Sequence, residues 1–254
     1  MNKRAKKKIA ASIEVRMTSS RLPGKVFMES FPGIPMIQFM LERVTKSRLL
    51  DDVIVATTTN HEDNVICELC NKLGIKFFRG SEDDVLSRVL DCHKQNETDI
   101  IVELTGDCPF IDNYLIDEMV EFFLKNVFDY VSNCHIRKVP VGLDIQVFPT
   151  KILERIEKIA KEQVYREHVS NYIYEKSNYR LGVFNSNLIK NDFSNLRITL
   201  DTIGDYNLIR KLIKETHGYS NSHIPSYEIV EFYARNIKYR DLLKTKNKIE
   251  YEDL

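Results

Sequence analysis

The feature that most constrains this chain is an alternation of short apolar runs with amphipathic stretches, repeated from Ile9 to Ser132. Residues 9–15, 53–56, 75–78, 99–104 and 128–132 read as strands. Helices are expected at 35–47, where Ile37, Met40, Leu41 and Val44 share one face, at 62–73, ended by Gly74, at 83–93 and at 114–125. Strand, helix, strand at this spacing predicts an α/β fold, a mostly parallel sheet flanked by helices. Such sheets carry their sites in the loops at the carboxyl ends of the strands. The regularity lapses after Asn133. Pro140, Gly142 and Pro149 interrupt residues 134–161; a helix is expected at 163–175, strands at 180–184 and 197–200, and a helix at 206–214. Residues 226–254 begin helical and turn polar. The expected organisation is a single domain over 1–254, with 133–193 as an inserted lobe.

A chain of 254 residues can bury a sizeable core without covalent staples. Its 37 Lys and Arg balance 37 Asp and Glu, so charge gives no general argument for nucleic acid or a membrane as partner. After the basic run 3–8, Glu14 and Arg16 interrupt the apolar residues a secretory signal needs, and no stretch approaches the roughly 18 apolar residues of a spanning helix. The expectation is a soluble, cytoplasmic protein. Five cysteines, an odd number, argue against a disulfide framework. Cys67 and Cys70 form a C-x-x-C with no second pair at metal-site spacing, inside an apolar-periodic segment with Ile66 and Leu69. They read as two small core-facing residues of one helix.

Chemistry concentrates at strand ends. The loop after the first strand gathers Arg16, Ser19, Ser20, Arg21, Gly24 and Lys25, with Pro23 fixing its turn. Amides and hydroxyls that donate, beside cations that neutralise, are the equipment for holding a polyphosphate. The loop fits neither the Walker A nor the G-x-G-x-x-G pattern. Thr105 to Pro109 places Asp107 after the fourth strand, and 200–205 places Asp201 before a helix. One or two carboxylates with phosphate oxygens and water are the usual surroundings of Mg²⁺. Asp205 reads as a helix cap. Arg166, Glu167 and His168, preceded by Asp144 and Gln146, form a candidate acceptor-binding set, although a lone helical His is more often structural.

Taken together, residues 16–25, 105–109 and 200–205 resemble the cytidylyltransferases that make CMP-activated acidic sugars, the Kdo and acylneuraminate enzymes among them. Residues 79–88 and 166–169 are similar to signatures of the spore-coat polysaccharide protein F-like branch. The likeness runs from about Ile9 to Ile213, and Ser20 to Lys25 is its most specific part. It departs from the pattern at Val15, where Ala is usual, and at Gln146, where the branch usually carries Glu. The resemblance implies a nucleotide-diphospho-sugar transferase-like fold with a protruding dimerisation segment, a homodimer, and Mg²⁺ dependence. It implies that Arg16 and Lys25 bind the triphosphate, that Asp107 and Asp201 coordinate the metal, and that Thr57 and Thr58 help recognise the base. Arg79 falls with the nucleotide-binding set.

The expected reaction is in-line displacement at the α-phosphorus of CTP by an acidic sugar, nonulosonic or Kdo-like, with release of pyrophosphate. Arg16, Arg21 and Lys25 would neutralise the leaving group, and Arg166 or His168 would contact the acceptor's acid group. One alternative keeps the chemistry but uses another nucleotide, or a small phosphorylated or phosphonate acceptor. A glycosyltransferase would carry a D-x-D motif, and residues 105–109 offer Asp107 alone. A non-catalytic nucleotide-binding or scaffold protein has no need of both aspartates and the basic loop.

Overall fold

The computed structural model describes residues 6–176, 178–217 and 224–236. Its strands are β1 (Ile9–Glu14), β2 (Glu29–Phe31), β3 (Ile34–Pro35), β4 (Asp52–Thr58), β5 (Lys76–Gly80), β6 (Ile100–Thr105), β7 (Tyr130–Ser132), β8 (Gln146–Pro149) and β9 (Leu181–Val183). Its helices are α1 (Met36–Val44), α2 (Asn64–Leu73), α3 (Val85–Gln95), α4 (Asn113–Lys125), α5 (Thr150–Ile159), α6 (Gln163–Glu167), α7 (Asn171–Lys176), α8 (Ile203–His217) and α9 (Ser226–Arg235). Seven strands form one sheet in the order β5-β4-β1-β6-β8-β7-β9. β1 lies parallel to β4 and β6, with Ile13 opposite Val55 and Leu104. β8 runs antiparallel to both β6 and β7, so the sheet is mostly parallel with one reversed strand.

Side-chain alternation along these strands builds two cores. Ile100, Val102 and Leu104 point into the core under α1, α4, α8 and α9, whereas Ile101 points into the one under α3, α5, α6 and α7. Val131 and Val147 follow the first set, and Tyr130 and Phe148 the second. Helix ends follow local chemistry. The side chain of Asp84 accepts from the Ser87 amide at the start of α3, and Asp112 accepts from Leu115 at the start of α4. α2 stops at Gly74 as expected, with Cys67 and Cys70 buried on it.

Two expectations change. The helix expected at 163–175 is two short ones, because the chain leaves helical geometry at His168 and turns the buried Ser170 inward, where its hydroxyl donates to Gln146. The strand expected at 197–200 is reduced to one isolated bridge between Arg197 and Val141. There Gly142 crosses directly against the backbone: at φ +108 a Cβ would lie 2.7 Å from the Thr199 nitrogen, so no larger residue fits this crossing. The short β2–β3 hairpin has no counterpart in the apolar pattern, since its pairing is local and carries no long apolar run. Residues 133–193 supply β8 and β9 to the main sheet. Of the 226–254 segment, α9 ends at Arg235, and residues beyond 236 lie outside the described residues, as do residues 1–5 of the basic N-terminus. No helix among the described residues is long and apolar enough to cross a membrane.

Candidate active site

The carboxyl ends of β1 and β6 open on a cavity of about 440 Å³, within the range of small-ligand sites. The loop after β1 is anchored at its start by Asp63, a fully buried carboxylate. Asp63 accepts from the Met17 amide at 2.7 Å, from the Thr58 amide at 3.1 Å, and from the hydroxyls of Thr57 and Thr58 at 3.0 and 2.5 Å. The loop then closes on itself, the Gly24 amide donating to the Met17 carbonyl at 2.9 Å. That closure turns Ser19, Ser20, Arg21 and Lys25 onto the cavity wall.

Asp107 and Asp201 are 94 residues apart in sequence but meet here through backbone contacts. The Leu200 amide donates to the Asp107 carbonyl at 2.8 Å, and the Ile198 amide to Val141 at 2.8 Å, which hold 197–201 beside the end of β6. Gly106 lets β6 reach that position: its amide donates to the Glu14 carbonyl at 2.8 Å, and a Cβ there would lie 3.0 Å from the same oxygen. The ammonium of Lys25 spans the two carboxylates, 3.2 Å from Asp107 and 3.0 Å from Asp201. Asp201 also takes Arg21 at 2.8 Å and a close contact from Arg197. Asp205 reaches back to the Thr202 amide at 2.8 Å, the capping role expected of it.

Lys25 holds Asp107 ionised. Burial alone would raise its carboxyl, but the charge of Lys25 and the hydroxyl of Thr105 outweigh it and the net shift is downward. The opposite happens on the α3 face of β1 and β6. Burial, reinforced by Glu103, keeps the Glu14 carboxyl well above the usual range, and burial pushes Glu103 up to about 8. A carboxyl raised in the folded state costs nothing below its unfolded value near 4.5. It destabilises progressively as pH rises from there to about 8. Glu103→Gln should therefore flatten the fall in stability between pH 5 and 8, with a gain of about 1–3 kcal/mol at the upper end. Urea unfolding at several pH values reads this directly; parallel curves for the two proteins would show Glu103 ionised in both states.

Of the expected site residues, Arg16, Ser19, Ser20, Arg21, Lys25, Asp107, Asp201, Glu167 and His168 line the cavity. Seven others do not. Thr57 and Thr58 are buried against Asp63, and Arg79 braces the Thr58 and Asn60 carbonyls at 2.7 and 2.6 Å. Arg166 turns away onto Asp84 and the Glu157 carbonyl, Asp144 pairs with Arg137, and Gln146 accepts from Tyr130 at 2.5 Å. Gly24 shapes the loop without facing the cavity. The structure adds Glu14, Glu82, Asp83 and Arg88 to the lining. Glu82 and Arg88 belong to the 79–88 string, and Glu14 carries a sequence signal of its own, a charge inside a buried strand. Arg88 is 3% exposed, and its Nε has no partner among the described residues.

A basic loop and two carboxylates meeting over the strand ends of such a sheet are the working parts of a nucleotidyltransferase. The cytidylyltransferase family profile matches residues 10–228, and this chain belongs to that family. It is accordingly an enzyme of the class that uses CTP as nucleotide donor. It is 39% identical over 250 residues to an uncharacterized protein of Methanocaldococcus jannaschii, covering 97% of this chain and 99% of that one. It is 30% identical over 229 residues to the spore coat polysaccharide biosynthesis protein SpsF of Bacillus subtilis, covering 88% and 93%. A solved cytidylyltransferase from Leptospira borgpetersenii superposes with a TM-score of 0.85 at 33% identity, covering 92% of this chain and 97% of that one.

Proposed function

We propose that this enzyme transfers CMP from CTP to an acidic sugar of the nonulosonic or Kdo-like type, with release of pyrophosphate. The observation that carries the reading is the convergence of Arg21 and Lys25 on Asp107 and Asp201 at one end of the cavity. An acceptor hydroxyl forms a bond to the α-phosphorus, the bond to the bridging oxygen breaks, pyrophosphate leaves, and the hydroxyl proton passes to water. Arg16, Arg21 and Lys25 neutralise the triphosphate, while Ser19 and Ser20 donate to its oxygens. His168 and the partly unsatisfied Arg88 face the acceptor's carboxylate. Arg166, first expected there, instead supports the wall from behind.

Asp107 and Asp201 fit Mg²⁺. They offer hard oxygen donors close enough for one ammonium to touch both, and no group of three or more His, Cys, Asp or Glu suited to a metal occurs among the described residues. A centre with two protein carboxylates leaves the remaining positions to phosphate and water, as Mg²⁺ prefers. Bound there, the ion would supply charge neutralisation at the α-phosphate. The family resemblance adds a homodimer to this reading.

The test is pyrophosphate release with each of the four nucleoside triphosphates and Mg²⁺ across nonulosonic acids, Kdo and small phosphorylated or phosphonate acids. CTP-selective release with one acidic sugar is the expected result. Release with a phosphonate acid alone would overturn the acceptor class, CTP binding without release would put the acceptor outside this panel, and neither binding nor release would favour a non-catalytic role.

A further inference from the structure

Residues 81–84, between β5 and α3, touch both walls of the cavity. On one side the Glu82 carboxylate, itself half-exposed, accepts from Arg16 at 3.1 Å, from the Thr18 hydroxyl at 2.5 Å and from the Asn60 side-chain amide at 2.5 Å. It thereby fastens the phosphate-side loop and the loop after β4 to one point. On the other side Gln163 donates to the Asp83 carbonyl at 2.9 Å, and Arg166 closes on the Asp84 carboxylate. Arg166 also donates to the Glu157 and Ala160 carbonyls at 3.1 and 3.4 Å, which ties it to the end of α5.

This arrangement decides where α6 sits. A helix of five residues has too few internal bonds to hold its own conformation, so external contacts must fix it. The 81–84 loop can serve as that support because it is itself held. Asp84 caps α3, its amide donates to the Ser81 hydroxyl at 3.1 Å, and Arg88 donates to the Ser81 carbonyl. α3 in turn packs on β1, β5, α5 and α6.

We propose that the 81–84 loop is a shared clasp. Glu82 positions the phosphate-side loop, and Asp84, through Arg166, positions the segment that presents Glu167 and His168 to the cavity. Asp84 and Arg166 are positioning residues, not catalytic ones. A nucleotide seated against Arg16 steadies the clasp through the Arg16–Glu82 pair, and through it the opposite wall. This rests on the nucleotide-binding reading of the cavity.

The experiment is hydrogen exchange at residues 163–168, where the amides of Tyr165, Arg166 and His168 are bonded, in the wild type, Asp84→Asn, Arg166→Gln and the double variant. Asn keeps the acceptor that caps α3 but loses the charge that holds Arg166. In the free proteins both single variants should exchange about tenfold faster at 163–168, with residues 17–27 unchanged and the double variant no faster than Arg166→Gln. CTP with Mg²⁺ should slow exchange at 163–168 in the wild type. Asp84→Asn should bind CTP within about twofold of the wild type by calorimetry, yet lose that slowing. Unchanged exchange in the free Asp84→Asn protein, or additive effects in the double variant, would overturn the clasp. Equal slowing by CTP in Asp84→Asn would overturn the link between the walls. Absence of CTP binding by the wild type would strike the functional reading instead, while the free-protein comparison still decides the clasp.

Discussion

Replacing Asp107 by Asn is expected to lower kcat/KM for pyrophosphate release by about a thousandfold or more. The change is nearly isosteric. Asn can still accept from the Thr105 hydroxyl, which lies 2.8 Å from one carboxylate oxygen, so the turn after β6 is preserved. What disappears is the charge that faces Lys25 and, in the proposed chemistry, half of the carboxylate pair for Mg²⁺. Stability should change by less than about 1 kcal/mol, because the lost ion pair is offset by the burial penalty the carboxylate no longer carries. Asp201→Asn should be equally inactive but less stable, since it leaves Arg21, Lys25 and Arg197 crowded around a neutral amide. Steady-state pyrophosphate release alongside urea unfolding separates the two effects. Full turnover by Asp107→Asn would remove Asp107 from the chemistry altogether.

Arg43→Met is expected to destabilise the fold by about 3–5 kcal/mol, a large share of a typical domain's stability. Arg43 is 2% exposed in the interior between α1 and the loop that follows β6. It donates to the carbonyls of Phe110 at 2.9 Å, Ile111 at 3.3 Å and Ile224 at 2.8 Å, and lies 3.6 Å from the Asp112 carboxylate. Burial lowers its guanidinium to about 10, against the opposing pull of Asp112, so the charge persists at neutral pH. Met fills a similar volume but leaves three carbonyls and a carboxylate short of a donor. Asp112 in turn accepts from Leu115 and from Ser226, so the starts of α4 and α9 both loosen. Arg43→Lys should rescue little, because a single ammonium cannot reproduce the planar fork. The midpoint of urea unfolding reads the effect. A loss under about 1 kcal/mol would mean that water or a neighbour replaces the guanidinium without strain.

The parts of this site that could be read from the chain are those whose chemistry is local. The 16–25 loop announces itself because hydroxyls, cations, Pro23 and Gly24 lie within ten residues, directly after an apolar strand. Asp107 is legible for the same reason, as a carboxylate beside Gly106 at the end of β6. The main-sheet strands up to Ser132 are legible because each is a short apolar run, and α2 because its apolar spacing ends at Gly74. Local chemistry also misled at Arg166. Its place beside Glu167 and His168 suggested shared contact with a ligand, yet neighbours on one turn of a helix point in different directions.

What could not be read depends on which distant segments touch. Thr57 and Thr58 look like free hydroxyls at a strand end until Asp63 is found buried against them. The reversed strand β8 is hidden because four residues that end at Pro149 and run straight into α5 carry no signal of direction; their place between β6 and β7 is set by pairing alone. The alternation of apolar runs and amphipathic stretches therefore sufficed for the parallel strands up to Ser132 and the helices covering both faces, and the local residues for the basic loop, since burial and backbone chemistry act residue by residue. The meeting of Asp107 with Asp201, and the joining of both cavity walls through residues 81–84, came from packing. Those contacts join residues tens of positions apart, and no local preference encodes such distances.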